Sequence, residues 1–458
     1  MTTPRYPQQG CMAGSQERGE AWSSDYAWIV NFNNGNVNNN HRNNTAFVRA
    51  VRRVAPASEC QGEVSLRALY QAWHAARRNK QPSANQLAFD LRSIDRLLDL
   101  QERLAAGTWS PAPTTCFIAT RPKAREIHAP DFGDRVVHHW LVPQLEAVYE
   151  PTFIHDSYAN RKGKGTHAAV KRLQQFVRQV HSGQGGGWYL QLDVHNFFNA
   201  IHRPTLYAML KARLARAGLP VTAMRAVHAL LRHPVQRQGV IHRATPEQRA
   251  QVPAHKRLEN APPGFGLPIG NLSSQFFANV YLDALDQFVK HVLKARRYLR
   301  YVDDFVLVHR DRAVLERWQA QIEQFLGQRL RLRLKDDIRL RPLSAGIDFL
   351  GYVVFPTHTR VRRRVVSHAA ERLDAWHREH QVRAGVRATP EAIQRLDAIW
   401  ASYDGHFRHA NARRLCHRLM QQRPWLASMI NSRRRFSHRL SGRRITVRIT
   451  ACNRKTSR

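Results

Sequence analysis

Between residues 64 and 106 apolar side chains recur at helical spacing, first Leu66, Leu69, Tyr70 and Trp73, then Leu87, Leu91, Ile94, Leu97 and Leu98, which predicts a helical opening. From 114 to 191 the pattern becomes mixed. Strand-like runs at 117–118 and 188–192 flank helices predicted over 136–148 and 166–180. Asn271 can cap a helix running to about Leu293, because Phe276, Phe277, Val280, Tyr281, Leu285 and Phe288 follow the i, i+3, i+4 rule. Two β-prone runs, 297–300 and 305–308, are joined by a tight acidic link and predict a hairpin. Beyond Gly351 the chain turns basic and helical: Thr389 and Pro390 open a helix whose stripe is Ile393, Leu396, Ile399, Trp400, Tyr403 and Phe407. The alternation implies an α+β body followed by a distinct C-terminal subdomain.

Composition changes the picture in three places. The first sixty residues look foreign to the rest, since nine asparagines crowd positions 31–44 and leave little apolar surface for a core, so this leader is expected to be flexible on its own. The length of 458 residues calls for two or three packed subdomains and excludes a lone small binding module. With 72 Lys+Arg against 34 Asp+Glu, the formal charge of +38 sets up a field that attracts a polyanion, and nucleic acid is the first partner it suggests. A merely soluble basic protein is the bland alternative. The N-terminus lacks the order of a signal peptide and no apolar run reaches spanning length, so we expect a soluble cytoplasmic protein with no membrane partner. Cys11, Cys60, Cys116, Cys416 and Cys452 show no paired short spacing, which argues for free thiols rather than zinc ribbons or disulfides.

The sharpest chemical signal is Tyr301-Val302-Asp303-Asp304 between the two β-prone runs. Adjacent like charges between apolar strands are costly unless a cation neutralises them, although an acidic surface turn would look the same. A second strand, 188–192, ends at Asp193. Carboxylates converging from two strands can hold two Mg²⁺ ions about 4 Å apart, one activating a 3′-hydroxyl and one stabilising leaving pyrophosphate. Alternatively Asp193 merely caps the segment after its strand.

These residues carry a resemblance. Leu190-Gln-Leu-Asp-Val-His-Asn-Phe-Phe198 and Arg300-Tyr-Val-Asp-Asp-Phe-Val-Leu-Val308 resemble the two catalytic motifs of the reverse transcriptase family. The resemblance implies a right-hand polymerase: fingers, a palm with an antiparallel sheet and the YVDD hairpin, and a helical thumb. It further implies that Asp193, the Val194 carbonyl and Asp303 bind Mg²⁺, with Mn²⁺ as a substitute, that Asp304 supports them, and that Phe198 is a steric gate against ribose 2′-hydroxyls. Lys123 and Arg125, in a segment similar to the family's fingers, would clamp the triphosphate of a dNTP. Ser157 to Val170, with Gly163 and Gly165, is similar to a further block where the backbone approaches a phosphate strand closely. Lys335 resembles the lysine that protonates departing pyrophosphate, and Ile347-Asp-Phe-Leu-Gly-Tyr352 resembles the turn gripping the primer end. Phe198 could instead be ordinary core packing, and Lys123, Arg125 and Lys335 solvated charge. The implied division is a leader over 1–60, N-terminal helices and fingers over 61–185, palm over 186–355 with an insertion at about 203–265, and a basic thumb over 356–458.

Gly266-Leu-Pro-Ile-Gly-Asn-Leu-Ser-Ser-Gln275 bears on the subgroup. Intron-encoded and retron polymerases usually carry glutamine where Ile269 stands, before Gly270, and proline where Gln275 stands. The pattern here resembles the reverse transcriptases of diversity-generating retroelements, as does the long connection from His233 to Pro263. That resemblance implies a polymerase that copies a template-repeat RNA with adenine-biased errors, through an RNA–DNA duplex, beside a small basic helical accessory variability protein. It also offers a reading of the leader as translated template repeat. The arginines Arg360, Arg362, Arg363, Arg364, Arg433, Arg434, Arg435, Arg443 and Arg444 suit a thumb that grips a duplex by its backbone. A retron- or intron-type enzyme of ordinary fidelity and a non-catalytic RNA-binding scaffold remain as rival expectations. A metal site at His406 and His409 would need further ligands.

Overall fold

The computed structural model describes residues 64–426, apart from 79–80, 121–122, 183–185, 236–238 and 384, together with Met429 and the backbones of strands Tyr26–Val30, Val37–His41 and Ile445–Arg448. Most of the leader, three of the five cysteines and the arginines Arg433 to Arg444 lie outside the described residues. Within the leader, Tyr26–Val30 pairs antiparallel with Val37–His41.

The helical opening forms three helices, Leu66–Arg77, Ala84–Asp90 and Ser93–Ala106. Their breaks are set locally. Ser83 accepts a hydrogen bond from the Gln86 N–H at 3.2 Å, and Gly107 ends the third helix in the left-handed region, φ 75°. The next helix, Phe132–Tyr149, starts four residues before the expected 136 because Asp131 caps it, accepting from Gly133 N at 2.8 Å.

Four antiparallel strands make the central sheet, in the order Tyr298–Tyr301, Asp304–His309, Trp188–Asp193, Arg339–Pro342. Strand periodicity distributes its side chains to two cores. Leu190, Leu192, Phe305 and Leu307 face a large core that takes in helices Phe132–Tyr149 and Leu272–Gln287. Tyr189, Leu299, Val306 and Val308 face helix Thr166–His181 through Ala169, Leu173, Phe176 and Val177. Full burial of each such aliphatic side chain contributes about 1.5–3 kcal/mol, so the register is strongly fixed. Leu272–Gln287 continues through a wider turn, Phe288–Val292, close to the expected end. One expectation needs correcting: Asn271 occupies the cap position, φ −93° and ψ 140°, but its side chain makes no capping hydrogen bond.

A second sheet is ordered Arg125–Ala129, Thr114–Ala119, Val240–His242. Its third strand comes from the long connection and pairs in parallel with Thr114–Ala119. The connection also holds helix Pro246–Ala250, closed by a reciprocal box in which Thr245 and Gln248 each bond the other's backbone. Past the central sheet, Ile347–Phe349, Tyr352–Val354 and Thr359–Val361 form a meander. The C-terminal part is built from helices Arg363–His380, Pro390–Phe407 and Arg413–Gln421, and Thr389 caps the second by accepting from Ala392 N at 3.2 Å. It is not wholly helical: Gln381–Val382, Gly385–Ala388 and Ile445–Arg448 form a small antiparallel sheet. The molecule is α+β throughout. Among the described residues no helix is long and apolar enough to cross a membrane.

Candidate active site

Strands Trp188–Asp193 and Asp304–His309 pair so that Asp193 stands opposite Asp304. The hairpin turn between Tyr301 and Asp304 contains only Val302 and Asp303, and the carbonyl of Asp303 accepts the Val194 N–H at 3.2 Å. Three carboxylates therefore meet at one end of the sheet. Val302 adopts φ 56°, a left-handed conformation that costs a β-branched residue about 1–2 kcal/mol. The turn is held in that state by Arg300, fully buried, which donates to the Val302 carbonyl at 2.8 Å. The Arg300 guanidinium also forks onto Asp286 at 2.8 and 2.6 Å and reaches Asn279 and Ser157. Tyr298 donates to the same Asp286 at 2.6 Å. The buried charge is thereby fully paired, the condition under which such a pair is tolerated.

The three acids differ in their surroundings. Asp193 is ion-paired through Oδ2 with the Lys335 ammonium, and its carbonyl accepts the Lys335 N–H at 2.8 Å, so the lysine is fixed beside it twice. Its Oδ1 is buried without a protein hydrogen-bond partner. Burial, then the negative charge of Asp193, pushes the Asp303 carboxyl up to about 6, while Lys335 and Arg125 pull the other way. Asp304 is pushed up to about 7, again chiefly by burial; the Gln191 amide opposes this by donating to it at 3.1 Å, and the charges of Asp193 and Asp303 reinforce it. Gln191 also donates to the Asp348 carbonyl at 3.0 Å.

This arrangement fits a divalent cation. Its donors are hard oxygens, one of them an unpartnered buried carboxylate oxygen, and Asp303 and Asp304 are pushed up by burial and by neighbouring negative charge that a cation would neutralise. Among the described residues no three His, Cys, Asp or Glu side chains form a chelating cluster on their own. Asp304 lies on its strand and is engaged by Gln191, whereas Asp193 Oδ1 has no protein partner.

Arg125 begins its strand, exposed, with its charge felt at Asp303; Lys123 is exposed two residues earlier. Phe198, half-buried, packs edge-on against Phe197 with centroids 5.5 Å apart, and its carbonyl accepts the Leu267 N–H at 2.8 Å. That bond ties it to the loop of Ile269 and Gly270. The Ile269 carbonyl accepts the His128 N–H at 2.7 Å, stitching the loop to the second sheet. Gly270 has φ 128°, and a Cβ there would stand 2.7 Å from the His128 carbonyl, so no other residue fits. Gln275 is half-buried near the start of helix Leu272–Gln287. His167, His406 and His409 gather at the seam of helix Thr166–His181 and the C-terminal part, His167 stacked on His409 at 3.7 Å, as ring packing and not as a metal cluster.

Sequence reasoning missed Gln191, Arg300 and Asp286. Each had a signal: a polar or charged residue inside an apolar strand or helix stripe, where burial demands a partner. The fold of the connection was also missed. Asn196 donates to the His255 carbonyl, His195 and His255 lie near-parallel at 6.0 Å, and Leu258 N donates to the buried Glu126 at 2.8 Å, so the connection packs on both the second sheet and the segment after Asp193.

Residues 119–354 match the family described as reverse transcriptase (RNA-dependent DNA polymerase), and the chain belongs to that family. It is similar to the group II intron-encoded protein LtrA of Lactococcus lactis, 21% identical over 360 residues, which cover 67% of this chain and 58% of LtrA. It is similar also to protein YkfC of Escherichia coli, 22% identical over 319 residues, 62% of this chain and 77% of YkfC. The chain thus spans less than two thirds of LtrA. Among solved structures, apo telomerase from Candida tropicalis aligns with a TM-score of 0.40 at 11% identity, over 59% of this chain and 60% of that one.

Proposed function

We propose that this chain is an RNA-directed DNA polymerase, and the observation that carries this is the in-register pairing of Asp193 with Asp304 beside the Asp303 turn. Asp193, Asp303 and the Val194 carbonyl would hold Mg²⁺, or Mn²⁺ in its place, and such a metal pair would supply Lewis-acid activation for the primer 3′-hydroxyl and charge neutralisation for the leaving pyrophosphate. Gln191 holds Asp304, and Arg300 holds the turn that carries Asp303. Lys335 Nζ, fixed at Asp193, carries a proton to the leaving pyrophosphate. Arg125 and Lys123 bind the dNTP triphosphate, the Phe198 ring excludes a 2′-hydroxyl, and Gly270 lets the backbone approach the nucleotide, with Gln275 behind it. We take residues 61–185 as N-terminal helices and fingers, 186–355 as palm and 356–458 as thumb, which binds the RNA–DNA duplex by its backbone charge in the cytoplasm.

The finer reading is a diversity-generating retroelement enzyme that copies template-repeat RNA with errors at adenine, assisted by a basic accessory variability protein. Ile269 supports it. An amide in that place could hydrogen-bond near the nucleotide's sugar, whereas isoleucine offers apolar contact only, and one lost polar contact lowers discrimination about tenfold. The similarity to LtrA favours a second reading, an intron-type enzyme of ordinary fidelity. Primer extension on RNA with Mg²⁺ and dNTPs tests the activity, and sequencing products opposite template adenine separates the readings. Ile269→Gln is expected to lower misincorporation at adenine about tenfold; an unchanged error rate rejects the role given to Ile269. The leader as translated template repeat is checked in the neighbouring DNA, where a near-copy should stand.

A further inference from the structure

Behind the Ile269–Gly270 loop lies a small cavity walled by four separate stretches of the chain. Its lining includes Thr114 at the start of a second-sheet strand, His138 in helix Phe132–Tyr149, His233 after helix Val221–Arg232, and Pro268 and Asn271 on either side of the loop. It offers about 20 Å³ to a water molecule, where about 10–15 Å³ suffices for one. Four polar atoms of these lining residues are buried without a protein hydrogen-bond partner: Thr114 Oγ1, His138 Nδ1, His233 Nε2 and Asn271 Oδ1. Thr114, His138 and Asn271 are 4%, 2% and 6% exposed, so bulk solvent does not satisfy them. Leaving one such atom unsatisfied is costly, and four around one void point to a shared partner.

The behaviour of Asn271 is an independent observation. It stands at the N-cap of a sixteen-residue helix with the extended backbone that suits a cap, and asparagine is among the best capping residues. Yet its side chain does not cap. The carbonyl oxygen that would serve the helix is the one left buried without a partner, beside the cavity. Burial pushes His138 down to about 3, so it is neutral and presents one donor and one acceptor nitrogen.

We propose that the cavity holds one ordered water molecule bridging Thr114, His138, His233 and Asn271, and that Asn271 is thereby a positioning residue that sets the height of the Ile269–Gly270 loop against the incoming nucleotide. The loop is pinned on one side by the Ile269 carbonyl to His128 and on the other by this water. The inference rests on the polymerase reading for its effect on nucleotides, but not for the water itself.

Two variants and one structure test it. Asn271→Ser supplies a hydroxyl that suits the cap position but is too short to reach the bridging position; Asn271→Leu supplies neither group. Both are expected to raise the dNTP KM about tenfold with kcat within about threefold, the size of one lost buried hydrogen bond, and Asn271→Leu, which lacks any capping group, lowers the melting temperature more than Asn271→Ser. If the Asn271 side chain has no part in placing the loop, Asn271→Ser will match the unsubstituted protein in KM, and the proposal fails. A crystal structure of the unsubstituted chain should show a single solvent peak within hydrogen-bond distance of at least three of the four atoms. A dry cavity overturns the proposal even if the polymerase is active, and a peak there upholds the water even if no primer is extended.

Discussion

Replacing Arg300 by methionine leaves Asp286, itself 0% exposed, as a buried carboxylate without its bidentate partner. Breaking a buried pair from one side costs about 3–5 kcal/mol. The same substitution removes the donor at 2.8 Å from the Val302 carbonyl, so the left-handed turn loses its restraint and Asp303 moves from its place beside Val194. Adding Asp286→Asn removes the stranded charge while keeping an acceptor for the Tyr298 hydroxyl. Urea unfolding should therefore show the single variant destabilised by about 3–5 kcal/mol and the double variant recovering most of that loss. Single-nucleotide primer extension, run where all three proteins are folded, should stay depressed at least about tenfold in both variants, because neither restores the turn. A loss under about 1 kcal/mol for Arg300→Met, or full extension by the double variant, would refute the claim that Arg300 joins fold to function.

The raised carboxyls make a pH prediction. Between about pH 4 and 7 folded Asp303 and Asp304 hold protons that the unfolded chain has released, so without metal stability falls as pH rises through this window. Thermal melts in chelator from pH 4 to 8 should show a shallower fall for the Asp303→Asn/Asp304→Asn variant; because Asp134 and Asp283 are raised by burial too, the difference between proteins is what decides, and identical slopes would contradict it. Phe198→Val is expected to raise ribonucleotide incorporation about ten- to a hundredfold relative to dNTPs, measured by competitive extension; no change would return the ring to mere packing.

Much of the arrangement was legible because the chain's periodicities are strong. The β-prone apolar runs at 188–192 and 305–308 marked the two strands that carry the acids, and the stripe from Phe276 to Phe288 marked the long helix packed with them. What was not legible depends on pairing between distant segments. Gln191 reads as one polar residue in a strand until Asp304 is opposite it, and Arg300 reads as surface charge until Asp286 is found buried fourteen residues earlier. The strand Val240–His242 is three residues long and gains its meaning only by pairing with Thr114–Ala119. Asn271 misled for a different reason: local propensity favours the cap, and tertiary surroundings override it.

The central claim is that Asp193 and Asp303 extend a primer between them. Single-turnover extension of a DNA primer on an RNA template, comparing the unsubstituted chain with Asp193→Asn and Asp303→Asn at matched primer–template occupancy, tests it directly. The account predicts Mg²⁺-dependent extension by the first and a loss of at least about a thousandfold in each variant with binding retained; extension that survives either substitution would contradict it.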